Sequence, residues 1–268
     1  MDLRFLGEIQ TMVVTARLLQ ATVTAFAAIL ANGSVVSWGH ARCGGDSSAV
    51  QSQLKGLQKL QATAGAFAAI LADGFVVCWG DPGFGGDSSP VQSQLKGVQQ
   101  LQATAGAFAA ILADGSVISW GDPDCGGISS AVQSQLKGVQ QLQAAGLAFA
   151  ALLADGSVLS WGDPDYGGDS SKVASQLKGV QQIQASGRAF AAILADGSVV
   201  SWGDPESGGD SSAVQSQLKG VQQLQATDDA FAAILADGSV VSWGNPEGGG
   251  DSSAVQSQLQ GVQRLRHS

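Results

Sequence analysis

Few side chains in this chain carry the chemistry of catalysis, and they do not form a recognisable set. Histidine occurs only at His40 and His267, and no second residue is placed to pair with either as nucleophile, base or ligand. A serine does recur in one sequence frame, but a nucleophile repeated five times is not typical of an active site. The frame places it at Ser37, Ser119, Ser160, Ser201 and Ser242, with Cys78 in the remaining copy. We therefore expect no enzyme and no catalytic residue.

Three carboxylates within seven residues, Asp163, Asp165 and Asp169, are a candidate calcium site, because Ca²⁺ prefers hard oxygen ligands. The neighbouring copies break this set, since Ile128 replaces the last carboxylate in one and Gly83 the middle one in another. The spacing also differs from that of an EF-hand, and aspartates of this kind are typical of turns. We expect neither a metal nor a cofactor, with weak calcium binding as an alternative.

The chain is acidic, with a formal net charge of −9. This charge argues against nucleic acid or an anionic membrane as the partner and favours a basic or neutral surface. Cys43, Cys78 and Cys125 lack the number and spacing of a disulfide framework or a metal site, which indicates a reducing compartment. Residues 1–20 contain Asp2 and Glu8 and no secretory signal, and no apolar run approaches the ~18 residues that span a bilayer. We expect a soluble, cytoplasmic protein without membrane insertion.

The elements that position these residues follow from a 41-residue repeat that occupies most of the chain. One tryptophan marks each of the six copies, at Trp38, Trp79, Trp120, Trp161, Trp202 and Trp243. The organisation predicted is an N-terminal extension over residues 1–14 and a single domain over 15–268. The repeats fall at residues 15–55, 56–96, 97–137, 138–178, 179–219 and 220–260, with a closing strand at 261–266.

One half of the repeat predicts a β-hairpin. In the third copy, Asp114-Gly115 lies between two apolar runs and is typical of a two-residue hairpin turn. Residues 116–120 contain the β-branched and aromatic side chains that favour a strand, and Pro123 and Gly126 follow it. We therefore expect two strands joined by this turn.

The other half is ambiguous. Between Val91 and Leu112 the apolar residues are spaced by three and four, which is typical of an amphipathic helix. Gly97 and Gly106 oppose a helix, because glycine costs about 1 kcal/mol relative to alanine there. The pattern alone permits a solenoid of hairpins and helices.

A family resemblance favours the all-β alternative. The frame Gly-Val-Gln-Gln-Leu-Gln-Ala at 220–226, followed by Ala-Phe-Ala-Ala-Ile-Leu-Ala-Asp-Gly-Ser-Val-Val-Ser-Trp-Gly at 230–244, resembles the repeat of the regulator of chromosome condensation family. The short repeat is similar to that of a bacterial β-lactamase inhibitor protein of this fold, and the resemblance covers about residues 15–265. It implies a β-propeller of six 41-residue repeats with four-stranded antiparallel blades.

The chain also departs from this family. The family usually has seven blades, whereas six repeats are present here. The Gly-x-x-His-Ser/Thr segment of the family is replaced by Ala-Gly-Ala-Phe-Ala, and no residue for nucleotide exchange can be placed on this sequence. The resemblance therefore implies the fold and not that activity.

Two sequence windows vary most among the copies, one just before the phenylalanine and one just after Trp-Gly. In an antiparallel blade both windows emerge at the same end of the strands, so their side chains are expected on one face. The predicted partner-binding residues are His40, Arg42, Phe84, Asp124, Asp165, Tyr166, Arg188, Glu206, Asp228 and Asp229. Aromatic and arginine side chains carry much of the energy of protein interfaces, although loops also vary without function.

We therefore predict a non-enzymatic scaffold that binds a protein partner of unknown identity through this face and is a monomer by itself. A structural subunit of a larger assembly is the alternative. The tryptophans are expected to pack between blades. Gln99, Gln100 and Gln102, on the innermost strand, are expected either to line a wet channel or to bond one another. Residues 261–266 are expected to pair beside residues 12–19 and close the ring.

Overall fold

The computed structural model describes residues 16–262, and each repeat in it folds into one three-stranded antiparallel sheet. We number these sheets 1 to 6 in chain order. Sheets 1 to 3 comprise β1 (Ala16–Ala21), β2 (Ala25–Leu30), β3 (Val35–Gly39), β4 (Leu57–Ala62), β5 (Ala66–Leu71), β6 (Val76–Gly80), β7 (Val98–Ala103), β8 (Ala107–Leu112) and β9 (Val117–Gly121). Sheets 4 to 6 comprise β10 (Val139–Ala144), β11 (Ala148–Leu153), β12 (Val158–Gly162), β13 (Val180–Ala185), β14 (Ala189–Leu194), β15 (Val199–Gly203), β16 (Val221–Ala226), β17 (Ala230–Leu235) and β18 (Val240–Gly244).

The all-β prediction is confirmed, and the alternative of a helix over residues 91–112 is wrong. A β-bulge explains the misleading spacing. In sheet 3 Val98 pairs with Leu112 and Gln100 pairs with Ile111, so Gln99 is the extra residue. The bulge lets Val98 and Leu101, three positions apart, both face the core, which reproduces a helical interval within a strand.

The prediction of four strands per blade is wrong, because each described sheet has three. After β9 the chain forms a 3₁₀ turn at Pro123–Cys125 and a further series of turns before β10 begins. The side chain of Gln133 in this segment donates a hydrogen bond of 2.8 Å to the carbonyl of Val117 in β9. Leu136 of the same segment is fully buried. A glutamine side chain and a packed leucine thus take the place of a fourth strand at the outer edge.

The hydrophobic core lies between sheets. Five clusters each join one face of a sheet to the opposite face of the next. Between sheets 3 and 4, Ala109 and Ile111 pack against Phe149 and Trp161, whose rings stack with centroids 5.4 Å apart. The predicted packing of tryptophans between blades is confirmed for Trp79, Trp120, Trp161, Trp202 and Trp243, which are each 4% exposed. It is wrong for Trp38, which is 46% exposed.

The first strands of neighbouring sheets lie next to each other and define the inner edge of the assembly. Their glutamines bond the backbone of the next repeat. Gln141 donates to the carbonyl of Ile183 at 2.8 Å and accepts from the N–H of Ile183 at 3.1 Å. Of the predicted glutamines, Gln100 and Gln102 donate to the carbonyl of Leu142 at 3.4 and 3.2 Å, so these two bond the backbone of the adjacent strand rather than one another.

A string of backbone hydrogen bonds also runs from repeat to repeat. Each bond joins an N–H in the turn after the first strand to the equivalent carbonyl of the next repeat. The donor and acceptor pairs are Val23 and Ala64, Ala64 and Ala105, Ala105 and Gly146, Gly146 and Gly187, and Gly187 and Asp228, at 2.7–3.0 Å. Within residues 16–262 no such bond returns from Asp228 to Val23. Among the described residues, five interfaces therefore join the six sheets into an open arc.

The predictions for the two ends of the chain fall largely on residues that the structure does not describe. The predicted extension and most of the predicted closing strand fall outside the described residues. Of that strand, Gly261 and Val262 are described, and the N–H of Val262 donates to the carbonyl of Gly238 at 3.0 Å, as Val98 donates to Gly74 between repeats 2 and 3. The described chain contains no helix with the length and hydropathy needed to cross a bilayer.

Candidate protein-interaction face

The two variable windows of each repeat meet at one end of its sheet. In the third repeat the N–H of Asp122 donates to the carbonyl of Gly106 at 3.0 Å, and the Thr104 hydroxyl donates to the carbonyl of Cys125 at 2.9 Å. We call this end of the arc the loop face. It consists of residues 22–24, 63–65, 104–106, 145–147, 186–188 and 227–229, together with 40–45, 81–86, 122–127, 163–168, 204–209 and 245–250.

The second window is built as a capped 3₁₀ turn. The Asp122 carboxylate accepts from the N–H of Asp124 at 3.0 Å, Pro123 occupies the first position of the turn, and Gly126 ends it at φ +86°. Asp81, Asp163, Asp204 and Asn245 cap the equivalent turns, whereas His40 makes no side-chain cap in the first repeat. These aspartates therefore shape the loops, and the residues that follow them are presented to solvent.

The predicted site residues lie on this face, and all of them except Tyr166 are exposed. The structure brings Tyr166 and Arg188 together, with the guanidinium carbon 4.7 Å from the centroid of the phenol ring. Arg188 also forms an ion pair of 3.0 Å with Asp204. Arg42 reaches across to the next repeat and pairs with Asp81 at 2.8 Å. Asp81 and Asp204 are thus contributors that the sequence did not single out.

The unpaired charge of the loop face is negative. Both arginines of the predicted set are engaged by aspartates. Several exposed carboxylates take part in no ion pair within residues 16–262, and they lie mainly in repeats 3 to 6. They are Asp124, Asp165, Glu206, Asp228, Asp229 and Glu247. The face thus combines exposed carboxylates with an aromatic side chain in repeat 2, Phe84, which is 37% exposed.

Residue sizes in the two windows compensate one another. A Cβ atom on Gly65 would lie 2.9 Å from Cγ of Phe84, and one on Gly106 would lie 2.6 Å from Sγ of Cys125. In the sixth repeat the order is reversed, because a Cβ on Gly248 would lie 2.8 Å from Cβ of Asp229. Part of the variation is therefore a packing requirement. The signal available in the sequence was this reciprocity of size between positions 19 residues apart, which holds in repeats 2, 3 and 6 but not in repeat 4, where Leu147 and Tyr166 are both large.

The candidate calcium ligands are used by their own turns. Asp163 accepts from the N–H of Asp165 at 2.8 Å, and Asp169 accepts from the N–H of Ser171 at 2.8 Å. The bonds from Ser171 lower the pKa of the Asp169 carboxyl. Within the described part of the chain no group of three or more histidine, cysteine, aspartate or glutamate side chains is arranged to hold a metal ion.

The recurring serines lie on the sheet faces, away from the loop face, and Ser242 lies on the side of sheet 6 that no described sheet covers. The hydroxyls of Ser37, Ser119, Ser160, Ser201 and Ser242 are buried and have no hydrogen-bond partner. Cys78 occupies the equivalent position in sheet 2, where burial raises the pKa of its thiol to about 12. A thiol with such a pKa is a poor nucleophile near neutral pH.

Grooves open on the outer side between neighbouring repeats. The one between repeats 2 and 3 encloses about 580 Å³, and apolar side chains of Pro90, Ile118, Trp120 and Ile128 contribute to its walls. The equivalent groove between repeats 4 and 5 contains Asp165, Lys172 and Arg188. The grooves thus differ in chemistry although the scaffold repeats.

Six antiparallel sheets that face one another around a common inner edge define a β-propeller-type repeat protein. No protein-family model and no curated protein matches the chain. Solved structures do match, and they show the fold of the regulator of chromosome condensation, as the sequence resemblance implied.

One match is Prp20p from Saccharomyces cerevisiae, at 17% identity and a TM-score of 0.52, covering 84% of this chain and 71% of that one. Human WBSCR16 matches at 14% identity and a TM-score of 0.52, covering 92% of this chain and 79% of that one. The ectodomain of the Arabidopsis thaliana receptor kinase ACR4 matches at 18% identity and a TM-score of 0.50, covering 86% and 80%. At these identities the likeness concerns the fold.

Proposed function

We propose that this chain is a non-enzymatic protein-interaction scaffold, and that its loop face binds a partner with a basic or neutral surface. The observation that carries the proposal is the joining of the two most variable windows by backbone hydrogen bonds in every repeat. Because these bonds hold the loops, their side chains vary without a change in the scaffold beneath them.

The chemistry of the loop face supports a protein partner. Phe84, Tyr166 and Arg188 are of the residue types that dominate interface energetics. The cation–π contact between Tyr166 and Arg188 fixes both side chains before binding, which lowers the entropy lost when a partner docks. The surrounding unpaired carboxylates favour a partner that offers lysine or arginine.

Solved proteins of this fold include binders of other proteins. Prp20p is described with binding properties towards Gsp1p and histones, and yeast RCC1 has been solved bound to Kap60. These partners belong to those proteins. The precedent for the present chain is that a protein of this fold binds other proteins.

The proposal that the chain is not an enzyme draws on the location of its reactive groups. His40 is exposed on the loop face, whereas Ser119, Ser160, Ser201 and Cys78 are buried between sheets, and the hydroxyls of Ser37 and Ser242 are buried without a hydrogen-bond partner. The raised pKa of Cys78 keeps that group protonated. No pair of these groups meets the geometric requirement of a nucleophile and its base.

Affinity capture with three forms of the chain tests the binding face. The loop-face variant carries Phe84→Ala, Tyr166→Ala and Arg188→Ala. The matched control carries Phe75→Ala and Lys137→Ala, which remove an exposed aromatic residue and an exposed cation near the opposite, hairpin end of the sheets. We expect proteins captured by the wild type and the control to be lost with the loop-face variant, and binding of each purified candidate to weaken by at least 10-fold.

Retention of the same proteins by the loop-face variant, with equal circular dichroism for all three forms, would contradict the assignment. Equal loss with the control variant would place binding elsewhere on the arc.

A further inference from the structure

The first sheet exposes an apolar face that every other sheet buries. Phe26 and Trp38 are 43% and 46% exposed, whereas the equivalent Phe67 and Trp79 are 0% and 4% exposed. Leu19 and Val36 are exposed on the same sheet. The rings of Phe26 and Trp38 keep the stacked arrangement of the buried pairs, with centroids 5.4 Å apart. The face is therefore fully formed without a covering element among residues 16–262. We call it the Phe26–Trp38 face.

The five internal interfaces show what fits such a face. In each, the preceding repeat supplies small side chains, a buried leucine and a glycine that lies flat on the phenylalanine. A Cβ on Gly126 would lie 2.8 Å from Cδ2 of Phe149, so only glycine permits this approach. The carbonyl of Gly126 also accepts a 3.0 Å hydrogen bond from Nε1 of Trp161. The covering surface is thus specific in shape and in hydrogen bonding.

The sixth repeat presents the matching surface. Gly249, the equivalent of Gly126, has nothing within 4 Å of the position of a Cβ atom. Leu259 is half-buried, although its counterparts Leu95 and Leu218 are fully buried. Ala232 and Ser242 are likewise half-buried on this side of sheet 6. In the described chain no tryptophan Nε1 donates to the carbonyl of Gly249, and Nε1 of Trp38 has no acceptor.

We propose that the Phe26–Trp38 face is a self-association surface that receives the sixth repeat of a second copy of this chain, in a head-to-tail contact. The two surfaces are halves of an interface that the chain already makes five times within itself. They lie at opposite ends of an open arc, and the string of backbone bonds does not return from Asp228 to Val23. Such a heterologous contact repeats until it closes into a ring or extends as a chain.

Sedimentation velocity with variants of each end tests the proposal. Trp38→Arg disrupts the Phe26–Trp38 face and Leu259→Lys disrupts the sixth-repeat surface. Phe75→Arg, at an exposed aromatic residue of the hairpin end, is the control. We expect the wild type and the control to form dimers and larger species as concentration rises, whereas each end variant remains a monomer. Val36→Glu and Ser242→Glu serve as second variants if either first choice changes the far-ultraviolet circular dichroism.

Mixing the two end variants gives the sharpest outcome. The Trp38→Arg chain keeps an intact sixth repeat and the Leu259→Lys chain keeps an intact Phe26–Trp38 face, so the mixture is expected to form dimers and nothing larger. Dimers of Leu259→Lys alone would overturn the proposal in favour of two Phe26–Trp38 faces meeting each other.

The fluorescence of Trp38 is obtained as the difference between the spectra of wild type and Trp38→Phe. Quenching of this difference by iodide reports whether Trp38 is accessible to solvent at each protein concentration. We expect Trp38 to be quenched at low concentration and protected at high concentration. A monomer in which Trp38 is protected from iodide at every concentration would show that the arc closes within one chain. A monomer in which Trp38 is always quenched would indicate that a different protein covers the face. Either result contradicts the proposal. Loss of self-association in the Trp38 variant alone leaves the loop-face proposal untouched, because Phe84, Tyr166 and Arg188 are intact.

Discussion

The α-carbon of Gly65 faces the ring of Phe84 so closely that a Cβ atom would lie 2.9 Å from Cγ of the ring. Gly65 precedes the second strand of its sheet and Phe84 follows the third, so this contact ties the two variable windows of repeat 2 together. In repeat 2 the large Phe84 therefore requires a small residue at position 65. The relationship limits which combinations of side chains the loop face can present.

Gly65→Ala is therefore expected to destabilise the protein by about 1–3 kcal/mol through overpacking. The same substitution in a Phe84→Ala background is expected to cost less than about 0.5 kcal/mol, because the ring that it strikes is absent. Denaturant unfolding of the two single variants and the double variant measures this coupling. Additive effects would show that the cost of Gly65→Ala does not come from its contact with the ring of Phe84.

Trp161→Phe is expected to destabilise the protein by about 1–3 kcal/mol, because it leaves the buried carbonyl of Gly126 without its donor. The same change at Trp38 is the matched control and is expected to cost less than about 0.5 kcal/mol at low protein concentration. Unfolding midpoints of the two variants decide the matter. Equal losses would mean that Trp38 is buried in solution.

The burial of Cys78 predicts that the protein is sensitive to alkaline pH. Burial raises the pKa of its thiol from 9.0 to about 12, so the unfolded chain loses this proton more readily than the folded one. Stability is then expected to fall as pH rises above about 9, since the folded state binds more protons there. Cys78→Ser, which introduces the residue of the other repeats, is expected to reduce this fall. Denaturant titrations at pH 7 and pH 10.5 measure the fall in the free energy of unfolding. An equal fall for wild type and Cys78→Ser would contradict the burial of this thiol.

The hairpin turns give a sensitivity to acid. Hydrogen bonds from the following serine hydroxyl and N–H lower the pKa values of Asp114, Asp155, Asp196 and Asp237. A carboxyl whose pKa is lower in the folded state contributes stability above its unfolded value of 3.8, and this contribution is lost as pH falls through the folded pKa. Stability is therefore expected to decline below about pH 4.

Replacement of these four aspartates by asparagine is expected to flatten that decline while it preserves the turns. The first repeat already uses this solution, because Asn32 accepts from the hydroxyl of Ser34 at 2.7 Å. Thermal unfolding of wild type and the fourfold variant from pH 2.5 to 6 compares the two. An unchanged decline would assign acid sensitivity to other carboxylates.

The sequence predicted the features that depend on local turn chemistry. The Asp114-Gly115 hairpin and the strand after it follow from residues adjacent in the chain, and the meeting of the two windows follows from antiparallel geometry. The strand count could not be predicted in this way, because Gln133 satisfies an edge carbonyl from 16 residues away. The bulge at Gln99 concealed a strand behind helical spacing.

The exposure of Trp38 and the compensation of sizes on the loop face were also missed. Trp38 has the same local sequence as its buried counterparts, and its exposure reflects the lack of a covering sheet among residues 16–262 rather than any neighbour in the chain. The size compensation between Gly65 and Phe84 depends on a contact 19 positions apart. Both features arise from packing between elements, which periodicity along the chain does not report.

Hydrogen–deuterium exchange of the chain with a captured partner tests the central claim most directly. The account predicts that added protection falls on the loop face, at residues 63–65, 81–86, 163–168 and 186–188, and not at the hairpin turns on the opposite end, such as residues 113–116. Protection confined to the hairpin turns, or to the outer grooves between repeats, would contradict the assignment of the loop face as the binding surface.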